Sequence, residues 1–418
     1  MAIKNKVKLA LIGAGGRGSA VIKNMVRCTE NVEVKYVCDV DDTRGGAVIR
    51  ELSKDQGYEP MPVRDMRDVF ADKDVDAAVI TTPEHWHALA TVWACRAGKD
   101  VYVEKNVCLT TGEGYEMLAA AKQNNCIVQC GTQNRSADYA FSARDYIAQG
   151  KLGEIVTVKA YCMLPDSRPW ILKEDTETPA GLDWEMWLGP APLVPYNVSR
   201  HKGWYDWWAY SGGAAMTGDA SHVIDLARMV LCDPPLPRNV FCAGGRVIFN
   251  DEREIPDNQT AVFDMGSYVI SLESSQYGGY MKKTPHEVRF GDRFPEWRNN
   301  STRIEIYGTK GVMFVGRHGG GWQVFGGDSF EVVAQGIGYF PDEKHHRNFI
   351  DCIRSRKNPN APLEQGILSA AMVNLANLSY RSGKRLLGIN PITGAITDND
   401  EAVRLDKKEP RSIYTIKP

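Results

Sequence analysis

In "LIGAGGRGSA", Leu11 to Ala20, the glycines Gly13, Gly15 and Gly18 stand in a G-x-G-x-x-G spacing. Taken alone such a spacing is weak. Here it follows an apolar run that predicts a strand, "VKLALIG", and it opens a run that predicts a helix, "SAVIKNMVRCTE". Asp39 ends the next predicted strand, "VEVKYVCDV", about 20 residues further on. Each part has a physical task. Gly13 permits a tight turn, Gly15 lets backbone approach a pyrophosphate, and Gly18 allows a helix to pack closely on a strand. The helix start offers unpaired amides and the positive end of its dipole to phosphate oxygens. The combination predicts a dinucleotide site at Gly13, Gly15, Gly16, Arg17, Gly18 and Asp39. A carboxylate at Asp39 accepts hydrogen bonds from ribose hydroxyls and repels a 2′-phosphate, which favours NAD over NADP. Arg44, within reach of such a phosphate, works against that preference. The plainer alternative is a glycine-rich turn that holds no ligand.

The rhythm around this loop predicts the first fold class. Strand-like "DAAVITTP", helix-like "HALATVWACRAG", strand-like "DVYVEK", helix-like "EGYEMLAAAKQNN" and strand-like "CIVQCGTQ" follow in turn. Alternation of this length implies a doubly wound parallel sheet with helices on both faces, a Rossmann arrangement, over residues 1–132. Ligands on such sheets lie beyond the carboxyl ends of the strands, near the switch point. From 133 to 418 the pattern changes. "EIVTVKAYCML" predicts a strand, a Pro- and Trp-rich stretch runs to about Gly213, and then "NVFCAGGRVIF", "TAVFDM", "YVISLESSQY" and "STRIEIYGTKGVMFV" follow without helices between them. Successive strands predict a mixed or antiparallel sheet in a second, α+β domain. The late helices "DEKHHRNFIDCIRSR" and "EQGILSAAMVNLANLSYRSG" are expected to pack back between the two. Two domains suit a chain of 418 residues.

Composition narrows the partners. A net charge of −2 and the lack of a basic run with interleaved aromatics argue against nucleic acid and against an anionic membrane surface. No apolar run approaches the roughly 20 residues that span a bilayer. The ten cysteines show no CxxC pair or metal-finger spacing, which fits reduced thiols and a cytoplasmic protein. The apolar segment near the N-terminus runs into glycines without a cleavage pattern, though a chain from which a leader had been removed, as in a periplasmic protein, would look the same.

Two further segments carry titratable groups. In "VYVEKNVCLT", Glu104 and Lys105 end a predicted strand on the ligand side of the sheet, where reacting groups collect; as a bare charge pair they read equally well as solvated surface. In "GDASHVID", Asp219, His222 and Asp225 are spaced by three on a predicted helix and share a face. Asp219 reads equally as an N-cap or as a catalytic auxiliary, and Asp225 as a structural partner. His85 and His87 in "TTPEHWHA" suggest a metal, yet residues two apart do not share a face on a helix, so no metal site is expected.

The segments "IGAGGRG", "TTPEHWHALA", "EKN", "DWEMWLGPAP" and "SGGAAMTGDASHVID", in this order over nearly the whole chain, resemble the Gfo/Idh/MocA oxidoreductases, which act mostly on sugars and cyclitols. The resemblance implies that Lys105 lies beside the nicotinamide and the reacting carbon, and that His222 works with it. It implies that Thr82, Pro83, His87 and Glu104 belong to the cofactor pocket, and that the second domain builds homodimers or homotetramers. Two positions depart from the family pattern. The aspartate usually found four residues before the histidine is Gly218 here, with Asp219 three before, and Asn106 replaces the proline that follows the lysine.

The chemistry implied is hydride transfer between NAD and a ring hydroxyl or ketone of a carbohydrate. A near-neutral imidazole takes the hydroxyl proton and a cationic lysine steadies the alkoxide. Flat aromatic faces suit pyranose rings. Of the tryptophans Trp170, Trp184, Trp187, Trp204, Trp207 and Trp208, the last three fall in "HKGWYDWWAYSGG", which is expected near the substrate, with Trp204 and Trp207 as the contacts. "CGTQNR" ends the last strand of the first domain, which puts Gln133 near cofactor and Arg135 near substrate. Two competing readings stand: a glycoside-cleaving hydrolase or lyase in which tightly bound NAD oxidises the sugar transiently, and a non-enzymatic NAD-binding regulator.

Overall fold

The computed structural model describes residues 6–165, 171–407, 410–411 and 413–415; Trp170 lies outside the described residues. The first sheet consists of β1 (Val7–Ile12), β2 (Val32–Cys38), β3 (Met61–Val63), β4 (Ala77–Ile80), β5 (Asp100–Val103) and β6 (Val128–Cys130), in the order β3-β2-β1-β4-β5-β6. Every pairing is parallel. Helices α1 (Gly16–Cys28), α2 (Asp42–Gln56), α3 (Met66–Ala71), α4 (Glu84–Arg96) and α5 (Thr111–Gln123) link the strands. β4 and β5 are buried at every residue, which is why they read as unbroken apolar runs rather than as alternation. The chain leaves β1 toward β2 and returns to β4, so the switch point falls between β1 and β4, where the glycine loop and Thr81–Pro83 meet.

The second sheet holds β7 (Ile155–Met163), β8 (Asn239–Gly245), β9 (Asn258–Asp264), β10 (Val269–Ser275), β11 (Thr302–Gly308), β12 (Gly311–Gly316), β13 (Trp322–Gly326), β14 (Glu331–Gly336) and β15 (Leu387–Gly388). Their order is β14-β13-β12-β11-β7-β10-β9-β8-β15. Among these, β7 and β10 pair in parallel and the other neighbours are antiparallel. Burial alternates along β9 and β10, so Phe263, Ile270 and Leu272 face the core. That core lies against α6 (Asp138–Ala148) and the helices Ser221–Val230 and Leu363–Arg381. The opposite face leaves Val156, Phe241, Val262 and Val269 exposed.

Late segments cover the first sheet as well. Phe349, Ile350 and Ile353 of the helix Asp342–Ser355 share a core with β1, α1 and α2. Leu363 and Ile367 join the core on the other face, whereas Met372, Leu375 and Leu378 of the same helix pack under the second sheet. The Cys130 N–H donates to the Ala361 carbonyl at 2.9 Å, which occupies part of the edge left open at β6.

Candidate active site

The glycine loop is shaped by contacts that forbid side chains. Gly13 has φ +92°, and a Cβ there would meet the Thr82 nitrogen at 2.8 Å. A Cβ on Gly18 would stand 2.1 Å from the Gly13 carbonyl oxygen and 2.5 Å from Thr81 Oγ1. Gly16 has nothing within 4 Å of such an atom, so backbone there faces open space. α1 begins with no side-chain cap, which leaves its first amides for a ligand. Asp39 ends β2, where its Oδ2 accepts the Ala14 N–H at 2.6 Å and its Oδ1 accepts the Asp41 N–H at 2.8 Å. Burial pushes its carboxyl pKa up, and these two amide bonds counter only part of that. Gly13, Gly15, Gly16, Arg17, Asp39, Thr82 and Pro83 line one cavity of about 170 Å³, along with Arg44, whose Nε lies 3.4 Å from Asp41. Unpaired amides, open backbone and a carboxylate one strand away fit a dinucleotide's phosphates and ribose.

A second cavity, of about 240 Å³, shares Arg17, Thr81, Thr82, Trp204 and Tyr205 with the first and continues it. Lys105, His222, His87, Glu104 and Gln133 line it. Lys105 follows β5, and its ammonium makes no hydrogen bond or ion pair among the described residues. Glu104 is buried and accepts the Arg17 Nε–H at 2.8 Å. Burial alone raises the Glu104 carboxyl pKa; the charges of Arg17 and Lys105 and the Arg17 hydrogen bond outweigh it and hold the group below its ordinary value. His87 is wedged between the Asn106 carbonyl, 2.8 Å from Nδ1, and the Thr82 carbonyl, 2.8 Å from Nε2. It therefore ties the lysine turn to the turn after β4.

Asn106, where the family pattern has proline, fixes that turn by other means. Its Nδ2 donates to the Cys108 carbonyl at 2.9 Å and to Asn374 Oδ1 at 3.0 Å. His222 arrives from the far side of the cavity on the helix Ser221–Val230, which continues a π-helical stretch, Ala214–Ala220. Burial, then the positive charges of Arg317 and Lys105, hold its pKa well below the ordinary histidine value. The ring is thus neutral and able to accept a proton. Its Nδ1 is sealed without a hydrogen-bond partner.

Several expected positions lie elsewhere. Asp219 is not an N-cap: it sits within the π-helical stretch, and the helix runs on through Ala220. It is also absent from the lining of the Lys105 cavity, and its charge acts instead on Arg317 and Arg289. Arg135 is not free for substrate. Its guanidinium is buried, 2.9 Å from both Asp225 oxygens and 2.7 Å from Asp233. Asp225 is the structural partner its position suggested, with Ser369 Oγ also donating to it at 2.7 Å. Trp207 is 3% exposed in a cluster with Trp184, Trp187 and Tyr210, and Arg200 stacks on its ring, so it packs rather than binds. Trp204 lines both cavities, stacked on Tyr205 with ring centroids 3.6 Å apart. His85 and His87 diverge, His85 Nε2 lying 3.1 Å from the Trp187 carbonyl. Among the described residues no group of three or more His, Cys, Asp or Glu could hold a metal ion, and no helix is long and apolar enough to cross a membrane.

Five lining residues went unread in the sequence: Thr81, Tyr205, Arg289, Arg317 and Phe340. The one available signal was Arg317 itself, a lone arginine at a predicted strand end before "HGGG".

Comparison with known proteins agrees with this fold. The model described as "Oxidoreductase family, NAD-binding Rossmann fold" matches residues 7–132, and that of the family's "C-terminal alpha/beta domain" matches 167–240. The chain is 29% identical over 392 residues to scyllo-inositol 2-dehydrogenase (NAD(+)) of Bacillus subtilis (strain 168), covering 91% of this chain and 96% of that protein. It is 26% identical over 156 residues to a glycosyl hydrolase family 109 protein of Shewanella putrefaciens, 36% of this chain and 33% of that one. In fold it is similar to the WlbA dehydrogenase from Bordetella pertussis, solved in complex with NADH and UDP-GlcNAcA. There the TM-score is 0.65 at 19% identity, covering 92% of this chain and 99% of that one. Matched by both of its domain models, and by a relative along nearly its whole length, the chain belongs to the Gfo/Idh/MocA family of NAD-binding oxidoreductases.

Proposed function

We propose that this enzyme transfers a hydride between NAD and a ring carbinol or ketone of a sugar or cyclitol, with Lys105 and His222 as its catalytic residues. One observation carries the reading: an ammonium with no hydrogen bond or ion pair among the described residues and a neutral imidazole, 117 positions apart in "EKN" and "GDASH", line one cavity that continues the glycine-loop cleft. Bound NAD supplies the hydride acceptor. The substrate hydroxyl gives its proton to His222 Nε2 as the carbon–hydrogen bond breaks, and Lys105 stabilises the negative charge growing on that oxygen. In the reverse direction Lys105 polarises the ketone and His222 returns the proton. Thr82, His87, Glu104, Arg17 and Gln133 hold the walls between the two cavities, and Trp204 offers a flat face to a ring.

The reading extends to a homo-oligomer, supported by the exposed Val156, Phe241, Val262 and Val269 on the open face of the nine-stranded sheet. A light-scattering mass equal to one chain would count against that part. It also places the protein in the cytoplasm, on the ten cysteines that all stand as free thiols; recovery with periplasmic markers would overturn that.

The test is a panel of cyclitols, aldoses and glycosides incubated with NAD, following absorbance at the NADH band together with release of any aglycone. Net NADH formation on a cyclitol or sugar supports the dehydrogenase. The partial match to a glycosyl hydrolase family 109 protein favours one alternative, redox-assisted glycoside cleavage. Aglycone release without net NADH would establish that alternative in its place.

A further inference from the structure

Beyond Lys105 and His222, the inner cavity holds two arginines that the hydride-transfer chemistry does not use. Arg317 is 4% exposed, yet its guanidinium makes no hydrogen bond or ion pair among the described residues, and its Nε and Nη1 are buried without partners. Arg289 is half-buried, and its Nε is likewise buried and unpartnered. Both guanidinium groups stack on the ring of Phe340, at 4.2 Å for Arg289 and 5.0 Å for Arg317. One aromatic ring thus contacts both like charges, and all three residues line the cavity.

Such an arrangement is costly as it stands. A buried guanidinium without acceptors loses hydration and regains no hydrogen bond, which contact with an aromatic ring offsets only in part, and the two like charges repel. Burial lowers the Arg317 pKa, Asp219 is the largest influence opposing it, and the Arg289 charge adds a smaller lowering. The carboxylates nearby do not resolve the deficit. Asp219 and Asp342 act on the pair through space, but neither accepts a hydrogen bond from Arg289 or Arg317, and Asp342 lies 3.8 Å from Arg17. The only carboxylate in the lining itself, Glu104, is taken by Arg17. Three cations, Lys105, Arg289 and Arg317, therefore face the substrate space with unused donors. One suffices for an alkoxide.

We infer that Arg289 and Arg317 form a subsite for an anionic oxygen group, a carboxylate or a phosphate, so that the natural substrate is an acidic sugar rather than a neutral one. The inference rests on the proposed carbohydrate substrate and adds its charge. Planar guanidinium groups donate charge-assisted hydrogen bonds to either anion, and a wall already desolvated makes them strong. A neutral hydroxyl in the same place leaves the charges unpaired.

The test is calorimetric titration of the NADH-loaded full-length protein with D-glucuronate, glucose 6-phosphate and glucose, in wild type, Arg317→Gln and Arg289→Gln. At least one of the two anions is expected to bind about tenfold or more tightly than glucose. That preference should fall about tenfold in Arg317→Gln, with NADH affinity unchanged and part of the preference restored in Arg317→Lys. Tighter glucuronate indicates a carboxylate subsite and tighter glucose 6-phosphate a phosphate subsite. Equal binding of all three, binding of none, or a preference that survives in both glutamine variants overturns the inference. Should Arg317→Gln fail to fold, the more exposed Arg289→Gln carries the test alone. Turnover of neutral cyclitols without anion preference would sink this subsite and leave the dehydrogenase standing. Anion preference with no hydride transfer on any substrate would do the reverse.

Discussion

Arg17 leaves the glycine-rich loop and sets its Nε 2.8 Å from Oε1 of Glu104, the residue next to Lys105. The phosphate-binding turn and the lysine turn are thus joined by one charged bond. Arg17→Ala leaves a buried carboxylate without its main partner. The expected result is NAD affinity lowered about tenfold and stability lowered by about 2 kcal/mol, at the low end for such pairs because Arg17 is partly exposed. Unchanged NAD affinity and an unchanged unfolding midpoint would show that the bond is decorative.

In the proposed mechanism Lys105→Ala removes the ammonium that steadies the reacting oxygen. Catalytic turnover should fall about 10²–10³-fold, the usual cost of an oxyanion donor. The NAD dissociation constant should stay within about threefold, since the glycine loop and Asp39 are untouched. Pre-steady-state hydride transfer and equilibrium NAD binding separate the two. Normal turnover would disprove the assignment of Lys105.

The depressed pKa of His222 sets a pH signature. A base of this kind is competent wherever it is neutral, so turnover should persist as pH falls below about 6.5, the ordinary histidine value, and decline only toward the lowered one. His222→Asn should lose about 10²–10⁴ in turnover at every pH in that range. A wild-type acid limb centred at 6.5 or higher would contradict a buried neutral imidazole.

Gly18→Ala tests the loop by steric means. The added methyl would meet the Gly13 carbonyl oxygen at 2.1 Å and Thr81 Oγ1 at 2.5 Å, so backbone must shift. Raised KM for NAD with a lowered melting temperature is expected. Gly16→Ala, with nothing within 4 Å, should fold normally and lose only NAD binding. Equal melting temperatures for the two variants would refute this reading of the loop.

Stability below neutral pH should track His345. It is fully buried, its Nε2 lies 2.9 Å from the Cys130 carbonyl and its Nδ1 2.9 Å from Ser136 Oγ, and burial lowers its pKa to about 4. The unfolded chain binds the proton first, so its contribution is intact above about 6.5 and is lost as pH falls toward 4, by up to about 3 kcal/mol. Urea unfolding across that range should show the slope in wild type and a shallower one in His345→Gln. Identical slopes would exclude His345 as its source.

What the sequence made legible was local. The glycine loop and Asp39 follow from spacing within one β-α-β unit and the strand ends at Thr82 and Lys105 from the strand–helix alternation, and the structure gathers them around two joined cavities. The three-residue edge strand Met61–Val63, which carries Pro62 and lies largely exposed, has no periodicity to announce it. Trp204 and Trp207 read alike as aromatic candidates, and only tertiary packing sends one to the cavity and the other to a core. Asp219 was placed by α-helical spacing, and the π-helical stretch Ala214–Ala220 changes the turn on which that spacing rests. Arg289 and Arg317 meet through Phe340, a contact between residues of three separate segments that no local pattern encodes.

The Asn106 amide binds Asn374, and Asn374 in turn donates to the Cys108 carbonyl, so the lysine turn leans on a helix from late in the chain. During synthesis the dinucleotide cradle emerges long before that support does. A nascent chain lacks both that support and the Leu363 and Ile367 side chains that complete one face of the first sheet, so the lysine turn settles only when the last long helix docks.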